Sequence, residues 1–253
     1  MHPIDLGADI CCDSAHKTLP VLTSGAYLHI VKDSSFTEHF SANAKASMAL
    51  FASTSPSYLT LCSLDYCNLL LEEEFSQKLE IISEEVKNSK EFIINSGYKV
   101  VSDEPLKITI LPNENGRTGI ELAEIFRDNG FECEYADHSS VVLMLSPYNK
   151  PGQLTQLVTL LHTLPMPRMF VKPLEIDFSK LCFESKMSIR EASLAKCRLV
   201  NSQDAEGLIC AKPVILCPPG VPVCMSGEVV TEECIKYLLA YNINQIEVVD
   251  LDI

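Results

Sequence analysis

Residues 7–29 read Gly7-Ala8-Asp9-Ile10-Cys11-Cys12-Asp13-Ser14-Ala15-His16-Lys17-Thr18-Leu19-Pro20-Val21-Leu22-Thr23-Ser24-Gly25-Ala26-Tyr27-Leu28-His29. Leu6 to Asp13 reads as a short buried strand that ends in a polar turn. The HKTLP segment reads as a loop, and Tyr27 to Val31 as a second strand. One turn thus collects hydroxyls, an imidazole and a lysine at a strand end. A partly desolvated lysine there has an amine that is nucleophilic near neutral pH and able to form a Schiff base with an aldehyde. Ser14, His16 and Thr18 are donors suited to a phosphate. A His-Lys pair in a loop is also commonly a solvated surface pair, so the chemistry alone leaves both readings open. His29, in an apolar strand, reads as a packed core histidine rather than a ligand.

The surrounding chain is 253 residues long, with 47% apolar and 21% charged residues, a composition that builds a core and is not disordered. Its net charge of −14 lacks the electrostatic footprint of a nucleic-acid binder and favours cationic small molecules. The first residues have neither the basic start nor the apolar run of a signal peptide, and no stretch approaches the ~20 apolar residues of a membrane helix. The expected compartment is therefore the cytoplasm. The 11 cysteines form no C-x-x-C pair, and Cys11-Cys12 and Cys62…Cys67 lack ligand spacing, so they read as mostly buried reduced thiols with no metal site.

Residues 37–52 have a helical pattern. Pro56 and the neighbouring hydroxyls open a second pattern that runs from Tyr58 to about Asn95, with an apolar stripe including Leu59, Leu64, Leu71, Phe75, Ile82, Val86 and Ile93. Its glutamates and lysines form a solvated face. Tyr98–Val101, Leu106–Leu111, Phe131–Tyr135 and Val141–Leu145 read as strands. Thr118 with Glu121 marks a capped helix ending before Gly130, and Pro151 opens another through His162. This order predicts a small α+β domain with a mainly antiparallel sheet. Thr163–Phe170 is a linker candidate. Ser188 with Glu191 caps a short helix, Val214–Leu216 leads into a proline-rich extended segment, Thr231–Tyr241 is a helix and Ile246–Val249 a last strand.

Four segments carry a resemblance. Ser14, His16, Lys17, Leu19, Leu22, Thr23, Ala26, Leu28 and His29 align with a pattern S-x-H-K-x-L-x-x-L-T-Q-x-A-x-L-H, departing at Ser24 where that pattern has Gln. Ser53-Thr54-Ser55-Pro56-Ser57-Tyr58 with Ser63-Leu64-Asp65, then Gly116-x-Thr118-Gly119 with Gly130 and Glu134-x-x-Asp137, then Pro218-Pro219-Gly220-Val221-Pro222 with Gly227-Glu228, follow in order. Together they resemble the C-terminal half of the Orn/Lys/Arg decarboxylase family, beginning just before its pyridoxal-phosphate lysine.

The resemblance implies an α/β chain of the fold type I class: residues 1–56 a remnant of the cofactor-binding large domain, 57–97 a linking helix, 98–164 a small α+β domain and 165–253 a C-terminal α+β domain. It implies pyridoxal 5'-phosphate as cofactor, Lys17 as the Schiff-base lysine, and Ser14 and His16 against the cofactor, chiefly its phosphate. It places Thr54 and Ser55 near a dimer interface and its cofactor, although either could instead cap the following helix. Glu228 is implied as a contact for the substrate's distal cation, or else is a turn carboxylate. The implied reaction is decarboxylation of ornithine, lysine or arginine to the amine. The upstream half of the family supplies the Asp that pairs with the pyridine nitrogen, so a homo-oligomer or a separate N-terminal chain is the expected partner. A non-catalytic interaction subunit and another pyridoxal-phosphate reaction, such as aminotransfer or β-elimination, are the competing readings. With its sheet incomplete, the segment of about 50 residues at the start is expected to be weakly stabilised.

Overall fold

The computed structural model describes residues 2–101, 103–165, 169–172, 184–216 and 221–251. Two compact units emerge: residues 1–88 with 145–154, and residues 89–144 with 155–253. Pro218, Pro219 and Gly220 of the proline-rich motif, and part of the linker candidate, lie outside the described residues.

In the first unit a 3-10 turn, Pro3–Leu6, precedes β1 (Ile10–Asp13), α1 (Ala15–Thr18), β2 (Tyr27–Ile30), α2 (Thr37–Ala49) and α3 (Tyr58–Glu73). His16, Lys17 and Thr18 are therefore part of a single helical turn, and only Leu19 and Pro20 of the HKTLP segment remain loop. β1 and β2 pair antiparallel, with Cys11 opposite His29 and Asp13 opposite Tyr27. The strand predicted over Leu6–Asp13 is shorter and is not buried. Of residues 2–57 only Ala15 and Gly25 are buried, because a two-stranded ribbon has no second layer of its own to bury a face against. Limited proteolysis under native conditions is accordingly expected to cut within residues 2–57 first. First cuts in the second unit would contradict this.

The helical pattern from Tyr58 to Asn95 is two helices, α3 and α4 (Phe75–Asn95), parted at Glu74. Glu72, Glu73 and Glu74 place three carboxylates at the carbonyl end of α3, where the helix dipole disfavours them. Glu74 leaves helical geometry at φ −138° and pairs with Lys78 at 2.6 Å. The apolar stripe is buried along α4, at Phe75, Ile82, Val86 and Ile93, whereas Leu59 and Leu71 on α3 stay exposed.

The second unit contains the expected antiparallel sheet. β3 (Lys99–Val100), β4 (Lys107–Leu111), β5 (Tyr135–Ala136) and β6 (Val141–Met144) lie in the order β3-β4-β6-β5. Both edges are two-residue strands, which leaves little exposed ladder. Of the strand predicted over Phe131–Tyr135, only the last residue pairs. α5 (Gly119–Asp128) packs on β6 through Leu122, Ala123 and Phe126, and Thr118 and Glu121 form the reciprocal capping box. α6 (Gln153–Thr163) follows and buries Leu157 and Leu161.

Toward the C-terminus α7 (Ile189–Leu194) starts at a Ser188–Glu191 capping box. β7 (Cys197–Asn201) pairs antiparallel with β10 (Gln245–Val249), and β8 (Val214–Leu216) with β9 (Val221–Cys224). α8 (Glu232–Ala240) contributes Cys234, Tyr237 and Leu238 to a core with Val223, Val230 and Val248. Among the described cysteines all are free. Cys67, Cys210, Cys224 and Cys234 are buried, but Cys12 and Cys62 are exposed and Cys11, Cys133 and Cys197 half-buried, so the expectation of mostly buried thiols does not hold. No helix among the described residues is long and apolar enough to cross a membrane.

Candidate functional site

α1 is built around one backbone carbonyl. Gly25 O accepts both the His16 backbone N–H at 3.2 Å and the His16 ring Nδ1 at 2.9 Å. A carbonyl only accepts, so Nδ1 carries the proton, and in a neutral ring Nε2 is left as an acceptor. The loop that presents this carbonyl is tight. Ser24, the departure from the family pattern, sits at φ 77°, and a Cβ on Gly25 would meet Val21 Cγ1 at 2.3 Å. α3 holds the loop from beneath: the Leu22 N–H donates to Ser63 Oγ at 3.1 Å, and the Tyr27 hydroxyl donates to Leu64 O at 2.8 Å. The Ser63-Leu64 pair therefore serves the site by fixing residues 21–27, a role for Ser63, Tyr27 and Gly25 that residue chemistry alone does not reveal.

On α1 itself Lys17 and Ser14 are exposed and His16 is half-buried. Ser14 occupies the N-cap position without spending its hydroxyl on a cap bond. Thr54 and Ser55 are exposed in the loop before α3. Neither caps that helix: Ser57 does, accepting from the Thr60 N–H at 3.3 Å. Glu228 belongs to the second unit. Its carboxylate accepts the Met225 N–H at 2.7 Å and closes the turn that passes through Gly227 at φ 89°.

His29 is not a core residue. β2 alternates its side chains, and the face bearing His29 also bears Asp13 and Cys11 across the ribbon. His29 Nε2 lies 3.1 Å from Asp13 Oδ2, and His2 Nε2 lies 2.7 Å from the same oxygen. Cys11 Sγ is 3.9 Å from His2 Nε2, and burial together with the Asp13 carboxylate raises its thiol pKa.

These residues can be compared with the three needs of pyridoxal phosphate: an amine for the aldehyde, donors for the phosphate and a carboxylate for the ring nitrogen. Lys17 fits the first, and the Ser14 hydroxyl fits the second, whereas the expected phosphate contact from His16 is not available from a neutral ring whose Nδ1–H is given to Gly25 O. Asp13, the carboxylate beside α1 in sequence, is bound by two imidazoles, so the third is not met from this turn.

Residues 168–246 match the family model described as Orn/Lys/Arg decarboxylase, C-terminal domain. The Bacillus subtilis protein YaaO is 28% identical across 93% of the chain and 50% of its own length. Bacillus subtilis arginine decarboxylase is 26% identical across 92% of the chain and 50% of its own length. The crystal structure of the Francisella novicida lysine decarboxylase LdcF superposes with a TM-score of 0.69 at 16% identity, covering 95% of this chain and 49% of that one. The chain spans about half the length of the relatives it matches, and its mixed α/β fold is that of the C-terminal part of these fold type I enzymes. By sequence, then, residues 168–246 match the C-terminal domain of the Orn/Lys/Arg decarboxylases, and the chain as a whole is similar in sequence to part of arginine decarboxylases and in fold to part of lysine decarboxylases.

Proposed function

We propose that this chain takes part in decarboxylation of a basic amino acid, with pyridoxal phosphate held at Lys17. The observation that carries the reading is α1. Its one turn presents an exposed lysine amine, an uncommitted serine hydroxyl and an imidazole locked by Gly25 O. Bound pyridoxal phosphate supplies an electron sink for the departing carboxyl carbon. Lys17 contributes the amine that anchors the aldehyde. Ser14 donates its hydroxyl to a phosphate oxygen, and His16 keeps its orientation because Nδ1–H is spent on Gly25. The α1 turn does not provide the ring-nitrogen carboxylate, and the proposed source of it is an assembly, either a homo-oligomer or a pairing with a chain that brings it. Arginine and lysine are the substrates named for relatives, and ornithine completes the class. The family's four-part division of the chain, and the roles of Thr54, Ser55 and Glu228 near cofactor and substrate, belong to the same proposal.

The test is a pyridoxal-phosphate titration followed by borohydride reduction and peptide mapping. The label is expected on Lys17, and the Lys17→Ala variant is expected to lose it. Release of carbon dioxide from carboxyl-labelled arginine, lysine or ornithine is then expected once the complementary half is supplied. A label scattered over surface lysines, or none, would overturn the cofactor role and leave the chain as a non-catalytic subunit. A keto acid or ammonia product would reassign the reaction.

A further inference from the structure

We propose that His2, Asp13, His29 and Cys11 form a binding site for a divalent transition-metal ion of the zinc class. The site is independent of the cofactor reading. Three of the four residues share a face by strand geometry: Cys11 and Asp13 are two apart on β1, and His29 is the cross-strand partner of Cys11. His2 is brought to that face by the turn Pro3–Leu6, in which the His2 N–H donates to Asp5 Oδ2 and the Ile4 N–H donates to His2 Nδ1, each at 3.3 Å. The potential ligand atoms of His2, Asp13 and His29 all lie within 4.8 Å of one another.

Zinc takes imidazole, carboxylate and thiolate ligands at about 2.0–2.3 Å in a tetrahedron, whose edges are then roughly 3.3–3.7 Å. The gaps here bracket those edges: 2.7 and 3.1 Å from the imidazoles to Asp13 Oδ2, 3.9 Å from Cys11 Sγ to His2 Nε2, and 4.0 Å from Cys11 Sγ to Asp13 Oδ2. His2, Asp13 and His29 therefore form the core of a coordination shell as they stand, and Cys11, outside that three-residue cluster, moves in toward His29 as the fourth ligand. On loading, Cys11 releases its proton, and the His2 and His29 protons that face Asp13 move from Nε2 to Nδ1. At His2 that move gives up the long contact from Ile4. The gain is structural. With so few buried residues in 2–57, an ion here would tie the start of the chain to the ribbon that runs directly into Ser14 and Lys17.

Zinc(II) competition against a chromophoric chelator, using the untagged full chain, tests the site. One equivalent is expected to bind, and zinc is expected to slow proteolysis within residues 2–57. His29→Gln, which keeps side-chain volume, and Cys11→Ser are each expected to weaken binding at least ten-fold and to remove the protection. Cys12→Ser is the control, because its side chain leaves the opposite face of β1, and it is expected to bind as the parent does. Circular dichroism checks that each variant is folded. Parent-level affinity in His29→Gln or Cys11→Ser, or failure of the folded parent chain to bind zinc, would overturn the proposal.

Discussion

Replacing Gly119 by alanine is expected to destabilise the second unit by about 3 kcal/mol or more, at the upper end of overpacking costs. The reason is space rather than backbone angle, since Gly119 does not occupy the left-handed region. A Cβ there would lie 2.0 Å from Ser140 O and 2.5 Å from Asp137 O. Both obstacles are backbone atoms in a turn that cannot retreat. Asp137 Oδ1 accepts the Ser139 N–H at 2.8 Å, the Ser140 N–H at 2.6 Å and the Ser140 hydroxyl at 3.1 Å. Asn113 Nδ2 adds a bond to His138 O at 3.0 Å. The alanine must therefore displace either the start of α5 or this whole turn. Gly130→Ala is the internal comparison. Gly130 sits at φ 83° with nothing within 4 Å of an added Cβ, so only the left-handed penalty applies, about 1–2 kcal/mol. Urea denaturation of the two variants should separate them clearly. Equal midpoints would mean that the 137–140 turn yields easily.

Phe126→Ala is expected to cost about 4 kcal/mol, as befits deletion of a fully buried aromatic. Phe126 is 0% exposed on the face of α5 that also buries Leu122 and Ala123. Its ring meets Phe131 edge-on at a centroid distance of 6.4 Å. Truncation removes both the burial and that contact, and the α5–β6 layer can close over the void only in part. Phe126→Leu keeps most of the volume and is expected to lose about 1–1.5 kcal/mol. A denaturation series in which alanine costs no more than leucine would show that this layer collapses freely.

Both positions show how local signals and spatial arrangement divide the explanation. The capping boxes at Thr118–Glu121 and Ser188–Glu191 were legible because a cap is closed within four residues, and both form as read. The antiparallel sheet of the second unit followed from short alternating runs separated by turn chemistry. The break at Glu74 was less legible, since the apolar stripe continues across it while the charge pattern opposes one helix. The resemblance to the family likewise was legible from motif order along the chain. What the motifs do was not. Gly119 with Asp137 is a close approach of a helix start to a turn, and Ser63-Leu64 braces the loop that holds His16.

The sequence by itself determined the two capping boxes and the antiparallel strands of the second unit's sheet, because these depend on contacts between near neighbours. Only the tertiary structure decided that His29 joins His2 and Asp13. Residues 2, 13 and 29 have no ligand spacing along the chain, and a reading based on cysteine pairs finds no metal site among them. Strand pairing places residues from two segments on one face, and the Pro3–Leu6 turn brings in the third. That convergence depends on cross-strand register, which no short-range pattern encodes.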